Sequence, residues 1–510
     1  MKDIIEQIRE KTIVIWGVGI LQTDLEGMFL SGRISYYIDD DIQDKNLISV
    51  RREDIYSSKE FAQEKKKDIF FVICTDDQDN VISQLMEMGF AEEDYILGEE
   101  LLINYSIYEK IHNRKISIWG TGNTYAYFED EIKEYLPNVE YFIVSHKTEE
   151  SFNGKQIMDW ETWEKGDRDT YIVVASIYYN EIYCSLTDLG LKPGKDFVHL
   201  YTLLKLGNLS TRIHAVYQFD DRRKKSKDLL VILSGYKEFV WESVFPRIKA
   251  YVPKETDVCV VTSGLFNEQL REMCRHYQWS YMSTEKNHVS LVVNLAIWLH
   301  PDAEYIYKVD EDIFVTKGIF ESMKNTYLQV QENSQYEVGF VTPLIPVNGY
   351  GYVRVLEIFA CEQLWESRFG ELKYTDCYCH HKVIHDNPQA ARFLWGEENS
   401  AMDSLDDMAK QLKKRSFAYS VCSIRYSIGF ILFHRNDWIR MGMFPVWEHS
   451  NMGSDEIYLC KYCLNQARAI IVDENSIAGH LSYGPQHKEM ELFYREHRER
   501  FLLPKGDRYE

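Results

Sequence analysis

The sequence predicts an α/β protein made of three successive parallel-sheet units, the first two of them copies of one another. Three observations lead there. Apolar runs of strand length alternate with helical stretches along the whole chain, the pattern of parallel strands joined by crossover helices. One block recurs: TIVIWGVG at 12–19 is answered by KISIWGTG at 115–122, YYIDDD at 36–41 by YFIVSH at 141–146, and FFVICTDDQDNVISQLMEMG at 70–89 by YIVVASIYYNEIYCSLTDLG at 171–190. Those offsets are 103, 105 and 101 residues, which marks a tandem duplication. After a run of mixed charge the alternation then starts again.

Each copy reads as a buried strand, a Gly-x-Gly turn, a helix, a second strand ending near an acid or a histidine, then a further strand and an amphipathic helix. That is a small Rossmann-like unit, expected over 1–104 and again over 105–219. Gly17, Gly19, Gly120 and Gly122 would permit a tight strand-to-helix turn at which a phosphate could meet backbone N–H groups. The dinucleotide fingerprint is incomplete, because Gln22 and Tyr125 stand where its third glycine belongs. Asp39 occupies the position of a ribose-binding acid, and its counterpart in the second copy is Val144. The glycines are therefore read first as turn-formers and the copies as scaffold or interaction modules, with nucleotide binding left open. They resemble the nucleotide-binding-like modules of multidomain bacterial polysaccharide enzymes. DDRRKKSKD at 220–228 reads as a solvated linker, and 229–510 as the third unit.

Composition limits the partners. At 510 residues the chain exceeds one ordinary core, and 45% hydrophobic residues with 14% aromatics can fill several. A net charge of −22 repels phosphate backbones and anionic lipid surfaces, so nucleic acid is excluded, and an anionic ligand must be held locally. The first residues alternate charge and lack the apolar centre of a signal peptide. No apolar run approaches the ~18 residues of a membrane span. The ten cysteines show no disulfide-scaffold spacing, so a reducing cytoplasm is expected.

The third unit carries the chemistry. LLVILSGY at 229–236, TDVCVVTSG at 256–264 and QWSYMST at 278–284 read as strands, with helices over 267–277 and 290–299. YIYKVDEDIFV at 305–315 then runs a buried strand straight into Asp310, Glu311 and Asp312. Ligands of such sheets lie beyond the carboxyl ends of the strands. An Asp-x-Asp pair there suits Mg²⁺ or Mn²⁺, which would neutralise a leaving diphosphate. Downstream stand SIGFILFHRNDWIRMGMFP at 427–445, GSDEIYLCKY at 453–462 and AGH at 478–480.

In this ordered series, over 294–480, the chain resembles the GT-A superfamily of glycosyltransferases, particularly its inverting, family-two-like members. The resemblance implies a metal-dependent transfer of a sugar from a nucleotide diphosphate to an acceptor hydroxyl, with inversion, in bacterial surface polysaccharide or glycan assembly. It implies Asp310 at the ribose or metal, Asp312 as a direct metal ligand, and His480 as a third. Asp455 corresponds to the acid of a Glu-Asp motif, with Ser454 in place of Glu and Lys461 where that motif often ends in Arg. An attacking alcohol needs a base, and a carboxylate at a helix start in a cleft can serve. Asp455 is the expected base and Glu456 the fallback; the other reading is that Asp455 caps a helix beginning near Glu456. Ser234, Gly235 and Thr262 stand where the family cradles the nucleotide. Asn294 matches one half of an Arg-Asn pair whose Arg is here Val293.

The partners so implied are a nucleotide diphosphate sugar and a glycan or lipid-linked glycan acceptor, met in the cytoplasm or at the inner membrane face. Peripheral membrane association and self-association through the N-terminal repeats stay open. The segment 348–416, with WGEEN at 395–399, reads as an acceptor-binding insertion or as plain core, and 487–501 as an amphipathic domain-packing helix. Cys377, Cys379, His380 and His381 have odd spacing for a zinc site, and the Cys-x-x-Cys pair Cys460 and Cys463 lies within an expected helix, so zinc is not expected. Two rival functions remain: a nucleotide-sugar dehydrogenase or epimerase built on the Gly-x-Gly turns, and a non-catalytic nucleotide-sugar-binding scaffold.

Overall fold

The computed structural model describes residues 8, 11–30, 32–41, 50–62, 68–75, 77–103, 114–129, 132–133, 136, 138–166, 168–204, 215–376, 381–397, 402–446, 453–481 and 484–506. The chain divides into two compact units, Met1–His214 and Ala215–Glu510.

The first unit holds two sheets. β1 (Thr12–Trp16), β2 (Ile34–Ile38), β3 (Ile55–Tyr56), β4 (Ile69–Ile73) and β5 (Tyr95–Leu97) lie in the order β3-β2-β1-β4-β5. β6 (Ile116–Trp119), β7 (Val139–Val144), β8 (Ser151–Phe152), β9 (Lys155–Asp159), β10 (Tyr171–Val174) and β11 (Phe197–His199) lie in the order β11-β10-β6-β7-β9-β8. Apart from the β8–β9 hairpin the strands are parallel, and the central strands are buried on both faces, so their residues are apolar without alternation. The same register shift recurs at equivalent places, between Ile13 and Val14 and between Ile116 and Ser117.

The glycine turns have a packing cause. Gly17 has φ +100°, and a Cβ there would sit 2.6 Å from the Thr75 nitrogen; at Gly120, φ +117°, it would sit 2.4 Å from the Ala175 oxygen. Each glycine thus lets the turn after the first strand pass the end of its neighbour. Asp39 is bonded to the glycine turn after β1 and to its own loop, accepting from the Val18 N–H at 2.8 Å and the Asp41 N–H at 3.0 Å. Between the two sheets lies the buried Asp24, which accepts from the Tyr179 hydroxyl at 3.2 Å and the Thr202 hydroxyl at 2.6 Å.

The boundary differs from the expected one. β12 (Tyr217–Asp220) is no tail of the second repeat, for it pairs antiparallel with β15 (Ser280–Thr284) in the second unit. The expected linker over 220–228 is bonded in place: the Asp257 carboxylate accepts the N–H groups of Lys224 at 2.6 Å and Ser226 at 3.0 Å. A buried acid at the start of a strand supplies the order that charge composition alone does not reveal.

The second unit has one nine-stranded sheet, in the order β12-β15-β14-β13-β16-β20-β18-β21-β19. Its further strands are β13 (Asp228–Ser234), β14 (Asp257–Ser263), β16 (Tyr305–Asp310), β18 (Glu337–Leu344), β19 (Tyr419–Val421), β20 (Phe430–His434) and β21 (Arg468–Ile477). β13 to β16 are parallel, and β20 runs antiparallel between β16 and β18. The helix Val289–Leu299 lies against β13 and β14 and is apolar on all sides because most of it is buried. A small second sheet pairs β17 (Ile313–Phe314) with β22 (Gly479–His480). Among the described residues no helix is long and apolar enough to cross a membrane.

Candidate active site

β16 delivers three acids to the carboxyl edge of the parallel strands, and each is held differently. The backbone fixes the exit from the strand: Asp310 donates its N–H to the Gly429 carbonyl at 2.9 Å, and Glu311 donates to the Leu233 carbonyl at 3.0 Å. Glu311 then anchors the loop after β13. Its buried carboxylate accepts the N–H groups of Gly235 at 3.0 Å, Tyr236 at 2.9 Å and Lys237 at 2.9 Å, and the Trp241 indole at 2.6 Å. A carboxylate with four donors is stable when buried, and it fixes three consecutive backbone groups.

Asp312 has 2% of its side chain exposed, while Lys237 keeps 27% of its own. The Lys237 ammonium lies 2.5 Å from Asp312 Oδ2, and His480 Nε2 lies 3.4 Å from the same oxygen. Burial pushes the Asp312 pKa up, but His480 and the Lys237 ammonium outweigh it and hold the carboxyl well below the usual range. His480 arrives here through the pairing of β17 with β22, which sets Ile313 opposite His480.

Asp310 is joined to a second lysine. Lys308, two residues back on the same face of β16, is almost fully buried; its ammonium donates to Asp310 Oδ1 at 3.0 Å and to the Ile428 carbonyl at 3.2 Å, and lies 3.7 Å from Asp455 Oδ2. Burial works against the Lys308 charge, yet Asp310 and Asp455 outweigh it and lift its pKa above the ordinary lysine value. Burial raises the Asp310 pKa, Lys308 offsets part of that, and the Asp312 charge adds to it. Asp310, Asp312, His480 and Asp455 therefore gather at one end of the sheet, although the last lies 145 residues beyond the first (455 − 310).

Asp455 is not a helix cap. The helix Ser454–Asn465 has Gly453 as its N-cap, with φ +94°, so Asp455 is the second helical residue and is buried. The negative end of its side chain thus sits by the helix's positive end. Glu456 is committed elsewhere: it holds the Arg425 guanidinium at 2.5 Å and accepts the Ile428 N–H at 3.3 Å. Glu456 thus holds Arg425 and the Ile428 N–H, while Lys308 holds the Ile428 carbonyl.

Several expected contacts take other roles. Asn294 faces the protein interior, donating to the Phe444 carbonyl at 2.7 Å and accepting from Trp438 Nε1 at 2.9 Å and the Phe444 N–H at 3.0 Å. Its amide is spent on tying down the segment 438–444, which corrects its assignment to the nucleotide. Thr262 is fully buried, bonding to the Leu265 carbonyl at 2.7 Å and to the Tyr281 hydroxyl at 2.9 Å, so it shapes the loop after β14. Ser234 is buried at the end of β13, with no hydrogen-bond partner for its hydroxyl among the described residues, and Gly235, φ +128°, turns the chain beside it.

Trp395 belongs to the core, its indole donating to the His480 carbonyl and its ring facing Phe314 and Phe501. Cys377, Cys379 and His380 lie outside the described residues, as do Glu398 and Asn399 of the expected insertion. Cys460 and Cys463 lie within a helix, and Cys460 is bonded to the Tyr426 carbonyl.

Among the described residues no three His, Cys, Asp or Glu side chains are gathered about one cation position. The expected triad of Asp310, Asp312 and His480 is thereby reduced to a pair, because Asp310 is engaged with Lys308. The pair suits a divalent ion. A carboxylate oxygen and an imidazole nitrogen 3.4 Å apart approach the ~3 Å separation of adjacent ligands in an octahedral shell. Charge favours an ion as well. Five carboxylates (Asp310, Glu311, Asp312, Asp455 and Glu456) lie near three cations (Lys237, Lys308 and Arg425), an excess of two negative charges.

Sequence reasoning missed Lys237, Lys308 and the anchoring use of Glu311. The signal for Lys308 was available, since it stands two residues before Asp310 in a strand whose alternate residues share a face.

No protein-family model matches this sequence, and no curated protein matches it. Solved structures resemble it in part. They include the crystal structure of S. aureus TarS 1-349 in complex with UDP, 15% identical, covering 49% of this chain and 60% of that one with a TM-score of 0.28. The same TarS fragment without that complex is 14% identical, covers 52% and 63%, and also scores 0.28. GalNAc-T7 with UDP, GalNAc and Mn²⁺ is 10% identical, covers 51% of this chain and 45% of that one, and scores 0.29. The chain thus spans less than two thirds of each of these structures, and likenesses this low carry no argument about its activity.

Proposed function

We propose that the second unit is a metal-dependent glycosyltransferase that moves a sugar from a nucleotide diphosphate to an acceptor hydroxyl with inversion. The observation that carries the reading is the gathering of Asp310, Asp312, His480 and Asp455 at the carboxyl ends of parallel strands, where open α/β sheets bind ligands. Asp312 and His480 would hold the Mn²⁺ or Mg²⁺ ion, which when bound supplies positive charge to the leaving diphosphate.

The remaining chemistry belongs to the chain. The acceptor oxygen attacks the anomeric carbon from the side opposite the nucleotide, and the carbon–oxygen bond to the diphosphate breaks as the new one forms. Asp455 takes the hydroxyl proton. Lys308 keeps Asp455 and Asp310 oriented without exposing a charge of its own to solvent. Glu456, bound to Arg425, anchors the helix rather than acting as base. Ser234 and Gly235, in the turn after β13, are the residues the family resemblance assigns to the nucleotide. A glycan or lipid-linked glycan is the acceptor implied by the family resemblance, at the inner face of a bacterial membrane.

Calorimetry of UDP, GDP, CDP and dTDP with Mn²⁺ identifies the nucleotide, and release of nucleoside diphosphate from sugar donors measures turnover. Asp455→Asn is expected to keep nucleotide binding while slowing transfer by about 10²- to 10⁴-fold. Asp312→Ala is expected to lose Mn²⁺-dependent binding. Full transfer by both variants would sink the assignment.

A further inference from the structure

We infer that Lys237 is a ligand of the donor's diphosphate, and that its ion pair with Asp312 competes with the divalent ion. This deepens the transferase reading and rests on it. The Lys237 ammonium touches Asp312 Oδ2 at 2.5 Å, the same oxygen that His480 Nε2 approaches at 3.4 Å. An ion coordinated by that oxygen and that nitrogen would lie against the ammonium. Two cations cannot share the place, so the ion's arrival displaces Lys237.

The geometry points to where the lysine then goes. Its backbone N–H is fixed by Glu311, as are those of Gly235 and Tyr236, so the loop stays in place and only the four-carbon stem swings. The side chain is already partly exposed. Lys308 cannot take this role, being almost fully buried and held by Asp310, Asp455 and the Ile428 carbonyl, and Arg425 is engaged with Glu456. Displacement takes from the ammonium its direct partner, Asp312, and the donor's diphosphate offers a replacement. Ion and diphosphate therefore bind cooperatively: each creates the place the other needs, and the coupling is reciprocal.

The test uses the full chain with Mn²⁺ alone and with inorganic pyrophosphate plus Mn²⁺, followed by calorimetry. Lys237→Met keeps the stem and removes the charge. It is expected to bind Mn²⁺ alone about tenfold more tightly, since the competitor is gone, and to bind pyrophosphate in saturating Mn²⁺ about tenfold more weakly. Lys237→Arg is expected to retain the native order of affinities. A merely structural lysine would not move the two affinities in opposite directions, and an unchanged melting temperature shows that Lys237→Met is folded. Native affinities in Lys237→Met, with Mn²⁺-dependent nucleotide binding intact in the native chain, would overturn this inference and leave the transferase reading standing. A native chain that binds neither Mn²⁺ nor any nucleoside diphosphate would overturn both.

Discussion

Glu311→Gln tests how far the site depends on an acid that touches no reactant. Glu311 divides its four donors evenly: Oε1 accepts the N–H groups of Tyr236 and Lys237, and Oε2 accepts Gly235 N–H and Trp241 Nε1. A glutamine keeps one oxygen and sets an NH₂ group against the other two donors. Each charge-assisted bond lost in a buried setting costs about 1.5–3 kcal/mol, so the variant should be destabilised by about 3–6 kcal/mol. Part of that cost falls on the loop itself, which would free residues 235–237 and disorder the cation opposite Asp312. The expected result is a lower urea midpoint for the second unit, followed by tryptophan fluorescence, together with weak nucleotide binding even where the variant is folded. A change within about 1 kcal/mol of the native protein, with normal nucleotide affinity, would refute the anchoring role.

Two further outcomes follow from buried polar groups. Asn294→Ala removes an amide that satisfies Trp438 Nε1 and both backbone groups of Phe444, and should cost about 2–5 kcal/mol while leaving nucleotide affinity within twofold; the reverse pattern, normal stability with lost binding, would return Asn294 to the cleft. Burial between the two N-terminal sheets raises the Asp24 pKa to about 7, against the hydrogen bonds from Thr202 and Tyr179 that favour its charge. The folded state therefore holds the proton more tightly than the unfolded chain. Its contribution is complete below the unfolded pKa of about 3.9, is lost as pH rises from there to about 7, and amounts to at most about 4 kcal/mol. Hydrogen exchange of the β10 amides in the full chain should show the first unit loosening across that window, with Asp24→Asn nearly flat and more protected at pH 8. Parallel pH profiles for the two would refute the assignment of that window to Asp24.

The sequence by itself determined the α/β class and the strand on which the acids stand. Both follow from local order: runs such as 230–233 and 305–309 are apolar enough to be buried, and Asp310, Glu311 and Asp312 come directly after one of them. Only the tertiary structure decided which charged groups meet. Lys308 reaches the Ile428 carbonyl because β16 and β20 are neighbours in the sheet, and it meets Asp455 on the helix Ser454–Asn465; His480 reaches Asp312 because two residues of β22 pair with β17. Asn294 looked like a site residue until its partners at 438–444 appeared, and the charged run at 220–228 looked like a linker until Asp257 bound it. The physical reason is one of range. Strand and helix preferences act between residues a few positions apart, whereas the partner of a buried charge is chosen by whichever chain segment the fold brings within hydrogen-bonding distance.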